Sequence, residues 1–124
     1  DDAQTPEVSN LIRAWQPVFQ RLKAFSLLYR KRLLFTEFGY RSMDGAAGKQ
    51  WLLETSPPDK DVNLESQKRA YEAFFRVFWG EEFIAGVFLW QLYTDHPEAG
   101  GPLDNDYTPQ NKPAEQLLAR WFKK

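Results

Sequence analysis

The chain has 124 residues, of which 43% are hydrophobic and 27% charged, which is the size and composition of one globular domain. A net charge of −1 excludes the basic surface that nucleic-acid binding requires, and the lack of cysteine excludes disulfides and thiolate metal sites. The sequence contains no run of the roughly 18 apolar residues that a membrane helix needs. The first residues, DDAQTPE, have neither a starting Met nor a signal pattern, so we expect a processed end with any signal upstream of Asp1, and the compartment is open.

The first predicted element is a helix over residues 6–30. Thr5 can cap it, Pro6 suits the first helical position, and apolar residues recur with a helical period. The basic residues 30–32 predict a solvated helix end that complements the helix dipole. The apolar run at residues 33–38 lacks alternation, which is typical of a buried parallel strand with both faces covered.

The second half of the chain repeats this order. A helix is predicted over residues 64–79 with Asn63 as its cap, followed by an apolar strand over 84–92. A short helix over 113–122 ends the chain. A long irregular segment follows each strand, and long loops inside compact domains are often functional.

The element order is therefore α-β-α-β-α, which predicts two parallel strands joined by a right-handed crossover. Two parallel strands make a poor sheet, and strands this apolar need neighbours on both sides. We interpret residues 1–124 as one partial α/β domain without a second domain. We interpret it as a piece of a larger α/β sheet or barrel; a (β/α)8 barrel has eight strands, so two predicted strands would correspond to roughly its last quarter.

A carboxylate stands near the end of the first predicted strand. The stretch LLFTEFGYRS, residues 33–42, places Glu37 after an apolar run. An ionised carboxylate in an apolar setting costs several kcal/mol or more unless it is paired or used. The residues alone leave two interpretations open, a structural pair such as one with Arg41 and a catalytic carboxylate.

Three segments of the chain resemble the C-terminal part of glycoside hydrolase family 113. They are LLFTEFGYRS, YEAFFRVFWGEEFIAGVFLWQLY and GGPLDNDYTPQNKPAEQLLARWF, and the resemblance runs from about Trp15 to Phe122. That family belongs to a clan of retaining (β/α)8 glycosidases and is known for endo-β-1,4-mannanases. The resemblance implies that residues 33–38 form the seventh barrel strand and residues 84–90 the eighth, with the sixth, seventh and eighth helices around them.

The resemblance also implies roles for single residues. In the clan, the carboxylate at the end of the seventh strand is the catalytic nucleophile, and Glu37 matches it. Trp90 matches the tryptophan that lies under the sugar at the cleavage site, although a core position between strand and helix is the alternative. Leu89 and Leu92 stand where the family is more aromatic, which puts some sugar contacts in doubt.

Further candidates lie in the two irregular segments. Trp51 is a candidate sugar platform or a cover for the barrel rim. Asp95 and His96 are candidate partners of sugar hydroxyls, although Asp95 could instead cap a turn. Asp104 and Asp106 in DNDY resemble a calcium loop only faintly, because its glycine and distal Glu are absent, and a turn explains them better. We predict no metal site.

The resemblance carries consequences for activity and partners. The clan's acid/base is a Glu after an Asn at the end of the fourth strand, and this chain contains no such pair. We therefore expect the isolated chain to be inactive and the parent to cleave a mannan-type β-linked polysaccharide without any cofactor. The apolar strand edges call for the remaining barrel or self-association. The alternatives are a non-catalytic carbohydrate-binding or structural piece, and a clan relative acting on cellulose or xylan.

Overall fold

A computed structural model of the protein describes residues 5–48 and 61–124. Trp51 lies outside these ranges. The described elements follow the predicted order, with a short 3₁₀ helix added after the second strand. They are α1 (Val8–Tyr29), β1 (Leu33–Phe38), α2 (Leu64–Phe78), β2 (Ile84–Leu89), the 3₁₀ helix (His96–Glu98) and α3 (Pro113–Trp121).

The starts of the two long helices differ in their caps. α1 begins at Val8, two residues later than expected, and its cap residue Glu7 makes no side-chain capping bond. The expectation that Thr5 caps α1 is wrong, because the Thr5 hydroxyl instead accepts a hydrogen bond from the Asn63 side chain. Asn63 caps α2 as predicted, since its Oδ1 accepts from the backbone N of Ser66 at 2.9 Å.

The basic cluster lies beyond the end of α1. Arg30 is the C-cap residue in the left-handed conformation, with φ 53°. Arg32 donates from Nε to the carbonyl of Glu82 at 2.9 Å and from Nη2 to that of Ile84 at 2.6 Å. The three residues are exposed as predicted, and Arg32 has the additional role of tying the start of β1 to the start of β2.

The two strands are hydrogen-bonded in parallel, as predicted. β2 ends at Leu89, three residues earlier than predicted. The last backbone bond between the strands runs from the N of Trp90 to the O of Phe38 at 2.8 Å. Because β1 itself ends at Phe38, β2 has no strand within residues 5–48 and 61–124 along which its ladder could continue.

The core is aromatic and centres on Phe74 of α2. The Phe74 ring stacks on Phe38 with 3.7 Å between ring centroids, and it meets Phe35 edge-on at 5.0 Å. Trp15 of α1 reaches the same ring edge-on at 5.9 Å. Such pairs contribute roughly 0.5–1.5 kcal/mol each beyond the area they bury. α3 packs against α2.

The opposite face of the sheet is bare among the described residues. Leu34 of β1 is 48% exposed and Phe88 of β2 is 61% exposed. The expectation that both strand faces are covered is therefore wrong for the described part of the chain, because its helices cover one face only. Within residues 5–48 and 61–124, no helix combines the length and apolarity that a membrane span requires.

Candidate active site

An irregularity in β1 sets the direction of Glu37. Phe35 pairs with Val87 and Phe38 with Leu89, so β1 advances three residues while β2 advances two. Strict alternation would place Glu37 on the same face as Phe35, towards α2. The extra residue gives that position to Phe38, which is buried against Phe74, and Glu37 is exposed. Bulges re-aim side chains next to active sites in this way.

Glu37 and Trp90 line the same cleft at the carboxyl ends of the two strands. The cleft has a volume of about 270 Å³, and Phe38, Gly39 and Tyr107 complete its described lining. Trp90 is 47% exposed, so its ring is not part of the core in the described chain. The carboxyl ends of parallel strands are where α/β proteins place their ligands. The structure thus brings together the two residues for which the sequence predicted the central roles.

Close contact between two backbones fixes this arrangement. A Cβ atom added to Gly39 would lie 1.9 Å from the carbonyl oxygen of Trp90, so no larger residue fits there without backbone movement. Only glycine allows the chain after β1 to approach the end of β2 this closely. The peptide bond between Trp90 and Gln91 is cis. Gly39 thus allows the chain just after Glu37 to approach the backbone of Trp90 closely.

The structural alternative for Glu37 was a pair with Arg41. Arg41 is buried and its Nη2 donates to Asn105 Oδ1 at 2.9 Å. The buried guanidinium thus fastens the segment after β1 to the segment after β2, while the Glu37 carboxylate faces the cleft.

A buried lysine organises the segment after β2. The side chain of Lys112 has no exposed surface, and its Nζ donates to Ser42 Oγ at 2.8 Å and to the Asp106 carbonyl at 2.9 Å. Asp104 Oδ1 lies 3.7 Å from the same nitrogen. Burial lowers the pKa of Lys112 to about 8, against the opposing effect of the Asp104 and Asp106 carboxylates.

Tyr107 was not among the predicted site residues. It follows DND, which was interpreted as a turn, and the turn is confirmed because Asp104 Oδ1 accepts from the backbone N of Asp106. The same turn places Tyr107 in the cleft beside Glu37. The available signal for a site residue was an aromatic residue in the loop after the second predicted strand, the eighth strand of the barrel. The groups that position this loop lie far apart in the sequence, so the sequence did not predict that Tyr107 reaches the cleft.

Asp95 and His96 lie elsewhere. His96 Nε2 pairs with Glu115 Oε1 in the first turn of α3, and Asn111 donates to the His96 carbonyl at 2.7 Å. Asp95 is exposed and precedes the 3₁₀ helix without a side-chain capping bond. Neither residue is in the described lining of the cleft that Glu37 and Trp90 share.

A second, largely apolar cleft lies on the other side of Glu37. It has a volume of about 410 Å³ and lies between α1 and the edge of β1 that has no partner strand in the described chain. Leu11, Trp15 and Val18 line it from α1, and Phe35 lines it from β1. A neighbouring strand would cover this edge, as the apolar composition of β1 requires.

Comparison with known proteins identifies relatives of this arrangement. The model of Glycoside Hydrolase Family 113 matches residues 3–112. A β-mannanase of this family from Alicyclobacillus acidocaldarius, solved in complex with ManMIm, is 30% identical, with a TM-score of 0.73. A second structure, a complex of a family 113 β-1,4-mannanase, is 27% identical, with a TM-score of 0.74. A search of curated proteins found no match.

The coverage of these matches is unequal. They include 90% and 91% of this chain but only 35% and 36% of the two mannanases, so the chain spans about a third of their length. The neighbours are (β/α)8 barrels, and this chain, with three α-helices and two parallel strands among its described residues, matches about a third of them. The predicted fold class and the predicted resemblance are thereby confirmed. The chain belongs to glycoside hydrolase family 113.

Proposed function

We propose that this chain forms the C-terminal part of a retaining glycoside hydrolase that cleaves β-1,4-mannan, with Glu37 as the nucleophile. One observation carries the proposal: Glu37 and Trp90 line one cleft at the carboxyl ends of two adjacent parallel strands. Family membership supports the reaction class, and the two mannanase neighbours support the substrate class.

The proposed chemistry has two steps. The Glu37 carboxylate attacks the anomeric carbon while a second carboxylic acid, about 5–5.5 Å away, protonates the departing glycosidic oxygen. A glycosyl ester of Glu37 forms and the first sugar fragment leaves. Water then attacks the anomeric carbon, the second carboxylate accepts its proton, and Glu37 is released as a carboxylate. Both steps pass through an oxocarbenium-like transition state.

Trp90 supplies a flat apolar surface beside the carboxylate. Pyranose rings expose C–H groups on their faces, which an indole ring contacts without displacing water from hydroxyl groups. Gly39 holds the Trp90 backbone against the end of β1 and so fixes the distance between platform and nucleophile. Fixed geometry of this kind contributes much of the rate that an enzyme gains from orientation.

The acid/base is to be supplied by another part of the barrel, because these 124 residues contain no Asn-Glu pair such as the clan uses at the end of its fourth strand. Among the residues that line the cleft, Glu37 is the single carboxylate in the described part of the chain. We therefore propose that the 124 residues alone do not hydrolyse glycosides. The bare face with Leu34 and Phe88 would be covered by the rest of a barrel or by self-association.

The test is a substrate screen of a protein that carries this segment in a complete barrel. Mannan, glucomannan, cellulose and xylan are offered to the wild type and to Glu37→Gln. We expect release of manno-oligosaccharides by the wild type and a loss of at least about a thousandfold in kcat in the variant. Glu82→Gln, an exposed carboxylate just before β2 at the opposite end of the sheet, is the matched control and keeps full activity.

Two alternatives are outcomes of the same screen. Binding of mannan without turnover by the wild type would favour a non-catalytic carbohydrate-binding role. Turnover of cellulose or xylan in place of mannan would keep the mechanism and change the substrate. Near-normal activity of Glu37→Gln would overturn the assignment of the nucleophile.

A further inference from the structure

Tyr107 lines the cleft of Glu37 together with two other aromatic residues, Phe38 and Trp90. Tyr107 is partly exposed. A tyrosine combines a flat apolar ring with a hydroxyl that both donates and accepts hydrogen bonds. Hexopyranosides present the complementary features, C–H faces and a rim of hydroxyls.

The backbone of Tyr107 is held on both sides. Its N donates to Asp106 Oδ1 at 2.8 Å, and its carbonyl accepts from Gln67 Nε2 at 3.1 Å. Gln67 belongs to α2, is fully buried, and also donates to the Tyr40 carbonyl at 2.8 Å. The amide therefore joins the segment after β1 to the segment that carries Tyr107.

Lys112 and Ser42 hold the residues just before Tyr107. Ser42 Oγ donates to the Asp104 carbonyl at 2.6 Å, and Ser42 N donates to the Asp106 carbonyl at 3.3 Å. Lys112 Nζ donates to the Asp106 carbonyl and to Ser42 Oγ. We call this buried set, Ser42, Gln67 and Lys112, the loop anchor.

A buried ammonium is costly, so its presence needs a reason. Removing a lysine from water costs several kcal/mol unless hydrogen bonds and nearby carboxylates compensate. Two of the groups that compensate the Lys112 ammonium, the Asp106 carbonyl and the Asp104 carboxylate, belong to the segment that ends in Tyr107. The buried polar contacts of the anchor therefore hold the loop after β2 in position. That loop carries Tyr107, which lines the cleft.

We propose that Tyr107 contacts the hexopyranoside bound beside Glu37 and that Lys112 is a positioning residue that holds Tyr107 in place. The inference rests on the proposed glycosidase function and adds to it a specificity contact from the segment after β2. The contact is made equally in the ground state and the transition state, so it acts on substrate binding rather than on the chemical step.

The first experiment measures kinetics on β-1,4-mannotetraose with the complete-barrel protein. Tyr107→Ala is expected to raise KM at least tenfold with kcat within threefold of the wild type, and Tyr107→Phe separates the hydroxyl from the ring. The control Tyr29→Ala removes an exposed ring from the C-terminal end of α1 and leaves both constants unchanged. Wild-type KM and kcat in Tyr107→Ala would overturn the proposal.

The second experiment separates positioning from stability. Lys112→Met is expected to raise KM, as Tyr107→Ala does. If Lys112→Met does not fold, Ser42→Ala replaces it, with a smaller expected rise in KM. Glu72→Gln, which weakens the Trp121 contact between α2 and α3, is the control that loses stability far from the cleft. Equal KM values in Ser42→Ala and Glu72→Gln would contradict the role of the anchor.

A binding assay distinguishes this inference from the proposed function. Calorimetry on the Glu37→Gln variant measures affinity for manno-, cello- and xylo-oligosaccharides without turnover. If the wild type does not cleave mannan in the substrate screen but one of these ligands binds, the mannanase proposal fails. The double variant Glu37→Gln/Tyr107→Ala must then still bind that ligand at least tenfold more weakly than Glu37→Gln. Binding of no β-glycan, or binding unaffected by Tyr107→Ala, overturns the sugar contact.

Discussion

Removal of the buried charge at Lys112 should change how stability depends on pH. The Lys112 side chain is fully buried, and burial lowers its pKa from 10.5 to about 8 although Asp104 and Asp106 lie near. In the unfolded chain the ammonium is solvated and titrates near 10.5. The folded state therefore releases this proton at a lower pH than the unfolded state does.

The sign and magnitude follow from this difference. Below pH 8 both states are protonated and the burial cost is fully present. Between pH 8 and 10.5 the unfolded state binds more protons, so the free energy of unfolding rises with pH. At 1.36 kcal/mol per pKa unit, Lys112 contributes a rise of about 3 kcal/mol in all, of which about 2 kcal/mol falls between pH 7 and 9.5.

The assay is urea denaturation of the wild type and Lys112→Met at several values from pH 7 to 9.5. The difference in unfolding free energy between them should shift in favour of the wild type by about 2 kcal/mol over this range. Burial also raises the pKa of Tyr40 and Tyr71, which lowers stability above pH 10, but this effect is common to both proteins and cancels. A difference that does not change with pH would refute the reasoning.

The remaining predictions concern the cleft and the helix start. Gly39→Ala should lower kcat/KM by about a hundredfold, because its Cβ would lie 1.9 Å from the Trp90 carbonyl and must push the strand ends apart; unchanged kinetics would contradict this. Trp90→Ala should weaken binding of mannotetraose to the Glu37→Gln variant by about 1–2 kcal/mol in calorimetry, which equal affinity would disprove. Asn63→Ala should cost about 1 kcal/mol in urea denaturation, with an exposed-site control such as Gln116→Ala near zero.

The element order could be predicted because it depends on local patterns. The helical period from Val8 to Phe25 and the apolar run at residues 33–38 each indicate one type of element, and both are present. The start of α1 was misplaced because Thr5 is a good local capping residue that the fold uses elsewhere, as an acceptor for Asn63. A short stretch of sequence does not show that a distant residue such as Asn63 will bind the hydroxyl that could have capped the nearby helix.

The site could be predicted only in part, for a similar reason. Glu37 was found because a carboxylate at the end of an apolar strand is unusual and because its surroundings resemble a known family. The bulge that turns Glu37 away from α2 depends on the register with β2, which the sequence does not state. Tyr107 depends on contacts such as that between Lys112 and Ser42, which are 70 residues apart.

The covalent step at Glu37 can be tested most directly by trapping it. A 2-deoxy-2-fluoro-mannosyl fluoride slows the second step of a retaining mannosidase reaction more than the first, so the glycosyl ester accumulates. Mass spectrometry of peptides from the treated complete-barrel protein should find the added fluoromannosyl mass on the peptide that contains Glu37, and Glu37→Gln should carry none. A stable adduct on another carboxylate, with the Glu37 peptide unmodified in an active enzyme, would contradict the account.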